Sequence, residues 1–207
     1  MSILFNGITK KIPISKINLK EFFEFYKKEI CQYKFKYILE DNIEIVIDFR
    51  ERNFSHIVGL HKFEKIKKYK VSEEINRDIL SEKITFKELR SNESEVLEKN
   101  KELGDRITYF PVLKTLLENV DTALKYDLNV IWKSKIEFSF LLKTEKISVI
   151  VYLAVKEIKG NKEICVPVSL LVDRKNSFSK MKLKELKITE RNIIKKIKNL
   201  EDKLNEK

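Results

Sequence analysis

The only two histidines of the chain, His56 and His61, stand five residues apart. Arg50 and Arg52 precede them, directly after a run of β-branched and apolar residues at 43–49. Imidazole exchanges a proton near neutral pH, whereas guanidinium keeps its charge throughout that range. The combination suits acid–base chemistry at a phosphodiester, because a guanidinium also binds the negative charge of the phosphate.

RNA is the phosphodiester that such residues could cleave, since its own 2′-hydroxyl can act as the nucleophile. The reaction needs a base for the 2′-proton, an acid for the leaving 5′-oxygen and cations for the phosphorane. His56 and His61 could fill the first two roles in either order, and Arg50 the third, with Arg106 and Ser169 as further candidates. A plainer interpretation stays open, in which the histidines line a turn and a helix while the arginines pair with nearby carboxylates.

Several other chemistries lack their residues in this sequence. Only four glycines occur, and none forms a phosphate-binding loop. A five-residue spacing does not place two histidines on one helical face, as the zinc pair of metalloproteases requires. Carboxylates do not cluster as metal-dependent nucleases need, and no serine stands in a Gly-x-Ser-x-Gly motif. We therefore expect neither a metal nor another cofactor.

The composition is that of a folded globular protein, with 43% hydrophobic and 10% aromatic residues in 207. The longest apolar run, near 149–155, is too short to cross a bilayer, and the first residues do not resemble a secretory signal. Cys31 and Cys165 are too few for a disulfide framework. These features predict a cytoplasmic protein without membrane association.

The net charge of +11 indicates a polyanionic partner such as RNA, although a lysine-rich AT-biased genome would give the same excess. Basic residues are concentrated in the C-terminal segment 179–207 and around the histidines. The candidate RNA-binding residues are Arg52, Lys62, Lys182, Lys184, Lys187 and Arg191.

Apolar periodicity predicts helices in the first part of the chain and strands in the second. The fold class expected is α+β, with N-terminal helices, an antiparallel β-meander and a long basic, amphipathic C-terminal helix that projects or forms a homodimer. The expected domain is 1–178, followed by the helix 179–207. Helices are predicted at 17–39, 60–69, 75–80, 85–89, 94–103 and 105–119 (entering near Pro111), and strands at 43–49, 128–132, 136–142, 146–156 and 162–172.

The segment Asn53-Phe54-Ser55-His56-Ile57-Val58-Gly59-Leu60-His61-Lys62 resembles the Phe-x-His-Leu-x-Gly-Leu motif of a nuclease family. That family is the phage-encoded barnase–EndoU–colicin–RelE-like nucleases of group four (PBECR4). Further similarity follows in order at 106–110, 138–143, 152–154 and the Pro-x-Ser segment 166–171. The resemblance runs from about Phe22 to Asp173 and implies helices followed by an antiparallel sheet.

The same resemblance implies an RNA-directed, toxin-like endonuclease of phages and mobile elements. It places His56 in the active site, with Arg106, Tyr152 and Ser169 as companions. An inhibitor or antitoxin protein is a further partner that this class of protein suggests.

Two other functions stay open. Arg50 and His56 also fit the Arg-x(4–6)-His spacing of the all-helical HEPN ribonucleases, although the β-rich second half disfavours that fold. A non-catalytic module that binds RNA or a protein through the basic C-terminal helix is the alternative from another class.

Overall fold

The computed structural model describes residues 5–126, 137–158, 160–174, 177–181 and 183–197. Most of the helices precede the last five strands, and they pack on one large hydrophobic core. The α-helices are α1 (Leu19–Phe25), α2 (Phe54–Val58), α3 (Glu64–Lys67), α4 (Ser72–Leu80), α5 (Phe86–Asn92), α6 (Ser94–Lys99), α7 (Lys101–Tyr109) and α8 (Leu113–Asn119).

Seven strands form a closed barrel in the order β1-β2-β6-β5-β4-β3-β7. Every neighbouring pair is antiparallel except β2 and β6, which run parallel. The strands are β1 (Tyr33–Leu39), β2 (Glu44–Asp48), β3 (Thr122–Lys125), β4 (Phe140–Lys143), β5 (Val151–Ile158), β6 (Asn161–Val172) and β7 (Lys184–Lys195).

Strands β1 and β2 form because buried apolar residues alternate with more exposed residues along the sequence. Phe35, Tyr37 and Leu39 are buried on β1, and Ile45 and Ile47 are buried on β2, with less buried residues between them. Such a period of two presents one apolar face to the helices and the other to solvent. The aromatic side chains of α1 and of the following π-helical turn at Tyr26–Ile30 belong to the same hydrophobic core as this face.

The expected long C-terminal helix is wrong, because residues 184–195 form strand β7. Strand β7 pairs with β1 on one side and with β3 on the other, so it closes the barrel. Closure removes the two open strand edges that β1 and β3 would otherwise leave. Only Leu186 of β7 is buried; of the isoleucines that suggested a helical stripe, Ile188 is partly buried against the core, whereas Ile193 and Ile194 are exposed.

The single helix expected over 17–39 is also wrong in its second half. The helical residues end near Ile30, and β1 begins at Tyr33. Tyr33 and Tyr37 continue the helical spacing of α1 by coincidence, whereas Phe35, Tyr37 and Leu39 follow the strand period. Aromatic residues favour a strand here because they fill the core between the barrel and the helices.

The predicted antiparallel β-meander is wrong, because the strands close into a barrel. Antiparallel β4, β5 and β6 lie within or close to the predicted segments 136–142, 146–156 and 162–172, but β6 also pairs in parallel with β2. Strand β3 was not predicted, and the expected strand at 128–132 lies outside the described residues.

The helix expected over 105–119 is divided by a 3-10 turn at Phe110–Val112, which contains Pro111. None of the described helices is long and apolar enough to cross a membrane.

A buried hydrogen bond joins the barrel to the helical layer. The Tyr37 hydroxyl on β1 donates to the Leu117 carbonyl of α8 at 2.7 Å.

The substitution Tyr37→Phe should lower the free energy of unfolding by about 1–2 kcal/mol, since a buried carbonyl loses its partner. Urea denaturation measures this. Tyr33→Phe on the same strand is the control and should change stability by less than about 0.5 kcal/mol; equal effects of the two substitutions would contradict the assignment.

Candidate active site

A cleft of about 530 Å³ lies where α2, α7 and the β5–β6 pair meet. It contains both histidines, a buried arginine and a buried serine, together with a rim of charged side chains. The lining residues are His56, His61, Lys62, Asn100, Glu102, Leu103, Arg106, Glu137, Lys156, Val168 and Ser169.

The two imidazole rings are stacked, with centroids 4.9 Å apart and planes inclined by 29°. Helix α2 ends at Val58 and is capped by Gly59, whose φ of +89° is left-handed and whose N–H donates to the carbonyls of Ser55 and His56. This glycine cap reverses the chain so that His61, in the 3-10 turn Leu60–Lys62, returns beside His56. The five-residue spacing therefore brings the rings together through a turn and not through a helical face.

Both histidines favour their neutral forms. Burial lowers the pKa of His56, which is nevertheless exposed at the cleft surface. Burial also lowers the pKa of His61 to about 4, and the neighbouring charge of His56 acts in the same direction. At neutral pH the pair is therefore ready to accept a proton, and a proton on one ring opposes protonation of the other.

Arg106 supplies a cation without a protein partner. It is only 7% exposed and its Nε is a buried donor without a hydrogen bond. Among the described residues no carboxylate lies within ion-pair distance of it. Burial lowers the pKa of Arg106 and the charge of Glu102 raises it, and a guanidinium remains protonated near pH 7 in either case. A buried, unpaired guanidinium is costly, so this position is suited to an anionic ligand.

The approach of Arg106 to the histidine pair depends on Gly59. A Cβ at position 59 would lie 2.6 Å from Leu103 Cδ1, 3.1 Å from Arg106 Cδ and 3.2 Å from Arg106 Nη1. Gly59 therefore satisfies two requirements at once, the left-handed helix cap and the close packing of α7. The sequence motif contains this glycine, but its contact with Arg106 depends on the fold.

A bidentate ion pair fixes α7 to the end of β6. Arg174 Nε and Nη2 bind the two carboxylate oxygens of Asp105 at 2.6 and 2.5 Å. Asp105 immediately precedes Arg106, and Arg174 follows the strand that contains Ser169. The pair therefore links α7, which contains Arg106, to the segment that follows β6.

Ser169 and Tyr152 lie on one face of the β5–β6 pair, but only Ser169 lines the cleft. Ser169 is opposite Ala154, two residues from Tyr152, and its hydroxyl has only a long 3.5 Å hydrogen bond to the Leu170 carbonyl. The Tyr152 ring packs edge-on against Phe178. Burial raises the pKa of Tyr152 to about 12, so its hydroxyl keeps its proton at neutral pH.

Other predicted residues lie away from the cleft lining. Arg50 is exposed and pairs with Asp48, and Arg52 is exposed on the turn that follows β2. Three predicted RNA-binding residues, Lys184, Lys187 and Arg191, are on β7, whose neighbours are β1 and β3 and not the strands of the cleft. Lys184 pairs there with Asp41, and Arg191 Nε donates to the Val120 carbonyl; Lys182 lies outside the described residues.

Sequence reasoning missed four polar residues of the cleft lining, namely Asn100, Glu102, Glu137 and Lys156. Lys156, on β5, forms an ion pair with Glu137, and Glu102 lies one helical turn before Arg106. These residues belong to unremarkable charged stretches, so no local pattern distinguishes them. Only the pairing of β5 with β6 and the packing of α7 place them beside the histidines.

The amino-acid sequence matches the model of a nuclease family. The family model described as phage-Barnase-EndoU-ColicinE5/D-RelE like nuclease4 matches residues 18–207. The chain belongs to this family, as its motif around His56 indicated. The comparisons with curated proteins and with solved structures found no match.

The packing of Gly59 gives a prediction with an internal control. Gly59→Ala should lower the free energy of unfolding by about 2–4 kcal/mol, because backbone strain adds to the displacement of Leu103 and Arg106. Gly160→Ala is the control, since φ is +86° there and no atom lies within 4 Å of the added Cβ. It should cost only about 1 kcal/mol, the strain alone. Equal losses in urea denaturation would show that the close approach contributes nothing.

The lowered pKa of His61 predicts a pH dependence of stability. The unfolded chain binds a proton at this residue near pH 6.5, whereas the folded protein binds it only near pH 4. The contribution of His61 is therefore fully present above about pH 6.5 and is lost as the pH falls toward 4. The difference in unfolding free energy between wild type and His61→Gln should shrink over this interval when measured by urea denaturation; a constant difference would contradict the lowered pKa.

Proposed function

We propose that the protein is an endoribonuclease that cleaves RNA without a metal ion, by attack of the substrate's own 2′-hydroxyl. The observation that carries the proposal is Arg106, a buried and unpaired guanidinium beside two neutral histidines in an open cleft. A phosphodiester would supply the missing anion, and its ribose would meet the proton acceptors. The family membership supports nuclease activity in general.

His56 is the proposed base because it is the more exposed ring of the pair and is neutral at pH 7. It accepts the 2′-proton while the 2′-oxygen bonds to phosphorus and the bond from phosphorus to the 5′-oxygen breaks. The leaving oxygen then takes one proton from the histidine pair, which returns to its starting state. His61 keeps the pair at a single proton and orients His56 through the stacked contact.

The cations assigned to the phosphate are Arg106 within the cleft and Lys62 at its rim. Arg106 stabilises charge that develops on the phosphorane, and its buried position makes that stabilisation strong. Ser169 offers a hydroxyl that could bind a non-bridging oxygen. The free thiols Cys31 and Cys165 fit the proposal that the protein acts in the reducing cytoplasm.

The proposal predicts that purified protein cleaves single-stranded RNA in EDTA and leaves 2′,3′-cyclic phosphate ends. His56→Ala should lower the cleavage rate by at least about 100-fold, since the general base is removed. Arg106→Ala should lower it by about 100-fold or more, because the charge at the phosphorane is lost. Product ends and rates can be followed with a fluorescent oligoribonucleotide.

Arg50→Ala is the matched control, because Arg50 is exposed and does not line the cleft. It should retain nearly full activity, and circular dichroism should show that all three variants are folded. Cleavage that survives His56→Ala, or that requires an added metal ion, would refute the proposed mechanism.

A binding function remains the second candidate because β7 presents exposed basic residues away from the cleft. RNA binding that Lys187→Glu reduces, with no cleavage by the wild type, would favour it. The all-helical HEPN alternative is wrong, since the described residues form a seven-stranded barrel.

A further inference from the structure

Glu102 is a carboxylate in a cleft that otherwise suits a polyanion. It is exposed, it lines the cleft, and among the described residues it has neither a hydrogen bond nor an ion pair. Glu137, the other carboxylate of the lining, is paired with Lys156. The difference matters because an unpaired carboxylate repels the backbone of a nucleic acid, whereas a paired one does so much less.

Glu102 and Arg106 are four residues apart on α7, so they lie on one face with Cβ atoms about 6 Å apart. A ligand that places its phosphate at Arg106 therefore brings its neighbouring groups to Glu102. The Glu102 carboxylate attracts the ligand only if the ligand places hydrogen-bond donors beside it. Nucleobases have such donors and phosphate groups do not.

A second acceptor lies nearby on the same side of the cleft. The Asn100 amide donates its Nδ2 to the Val96 carbonyl at 2.9 Å, which fixes the side chain and leaves its oxygen as an acceptor. Asn100 and Glu102 thus form an acceptor-rich edge, in contrast to the cationic side formed by Arg106 and Lys62. This edge should select bases by the number of donors that they present.

We propose that Glu102 is a specificity-determining residue that binds the Watson–Crick edge of an unpaired guanine. A carboxylate accepts two parallel hydrogen bonds, and guanine is the one common RNA base with two adjacent donors on that edge, N1–H and N2–H. Adenine and cytosine each present one amino group beside an acceptor, and uracil presents one N–H between two carbonyls. Single-stranded RNA exposes this edge for recognition, whereas a duplex hides it.

This inference rests on the proposed function, because it uses the phosphate position at Arg106. A purely electrostatic role is the competing explanation, since the charge of Glu102 raises the pKa of Arg106 and favours the N-terminus of α7. The two explanations differ in what they predict. An electrostatic role changes the affinity for every nucleotide by the same factor, whereas base recognition changes the ratios among nucleotides.

The test measures the affinities of the four nucleoside 3′-monophosphates for the full chain by isothermal titration calorimetry. We expect 3′-GMP to bind about tenfold or more tightly than 3′-AMP, 3′-CMP and 3′-UMP, as a bidentate base contact produces. Glu102→Gln should reduce this preference to about twofold or less, because an amide offers one acceptor and one donor. Inosine 3′-monophosphate, which lacks the N2 amino group, should bind with intermediate affinity.

Glu137→Gln is the matched control, since it neutralises the other carboxylate of the cleft and should leave the guanine preference unchanged. Equal binding of the four nucleotides by the wild type would overturn the proposal, as would a uniform change of all affinities in Glu102→Gln. Absence of any nucleotide binding would overturn it too. These measurements require no turnover, so failure of cleavage with a guanine preference retained would refute the catalytic mechanism and not this site.

Discussion

The close packing of α7 against the end of α2 is the constraint on which the site depends. Gly59 allows it, because a residue with a side chain would be strained at a φ of +89° and would press on Leu103 and Arg106. The same residue reverses the chain and stacks His61 on His56. One backbone position therefore determines both the relation of the two histidines to each other and their distance from the guanidinium.

The electrostatic state of the cleft follows from this packing. Burial lowers the pKa of both imidazoles, and no described side chain forms an ion pair or a hydrogen bond with the Arg106 guanidinium. Such an arrangement costs stability, because a buried charge loses hydration without gaining a partner. Buried charges without a partner occur in proteins mainly where a ligand binds them. Arg106 is therefore stronger evidence for an anionic ligand than the net charge of the chain is.

Residues of strong local character were predictable, and residues placed by distant pairing were not. The apolar run at 43–49 and the β-branched segments of β5 and β6 indicated strands because each alternates or is bounded by turns. Strand β7 was taken for a helix because most of its residues are exposed and only Leu186 is buried, so burial imposed no period of two on the sequence. The start of β1 was hidden for a related reason, since aromatic residues suit a core helix and a core strand equally well.

In the candidate site, too, some residues could be predicted from the sequence and others could not. His56, His61 and the motif around them were evident from residue type and spacing, and the resemblance pointed to Arg106 and Ser169, which line the same cleft. The roles of these residues remain predictions. Lys156 and Glu102 have no local signature, and Arg50 was selected for its position in the sequence although its side chain lies outside the cleft lining.

Closure of the barrel by β7 also affects how the chain can fold as it leaves the ribosome. Strand β1 pairs with a strand about 150 residues later, and the parallel pairing of β2 with β6 spans more than 110 residues. Ser169 and Lys156 reach the cleft only after β5 and β6 have emerged, and the barrel closes only once β7 has followed. A nascent chain that ends at β3 contains both histidines and Arg106 but lacks β5 and β6, which form the other side of the cleft. The complete cleft can therefore form only late in synthesis.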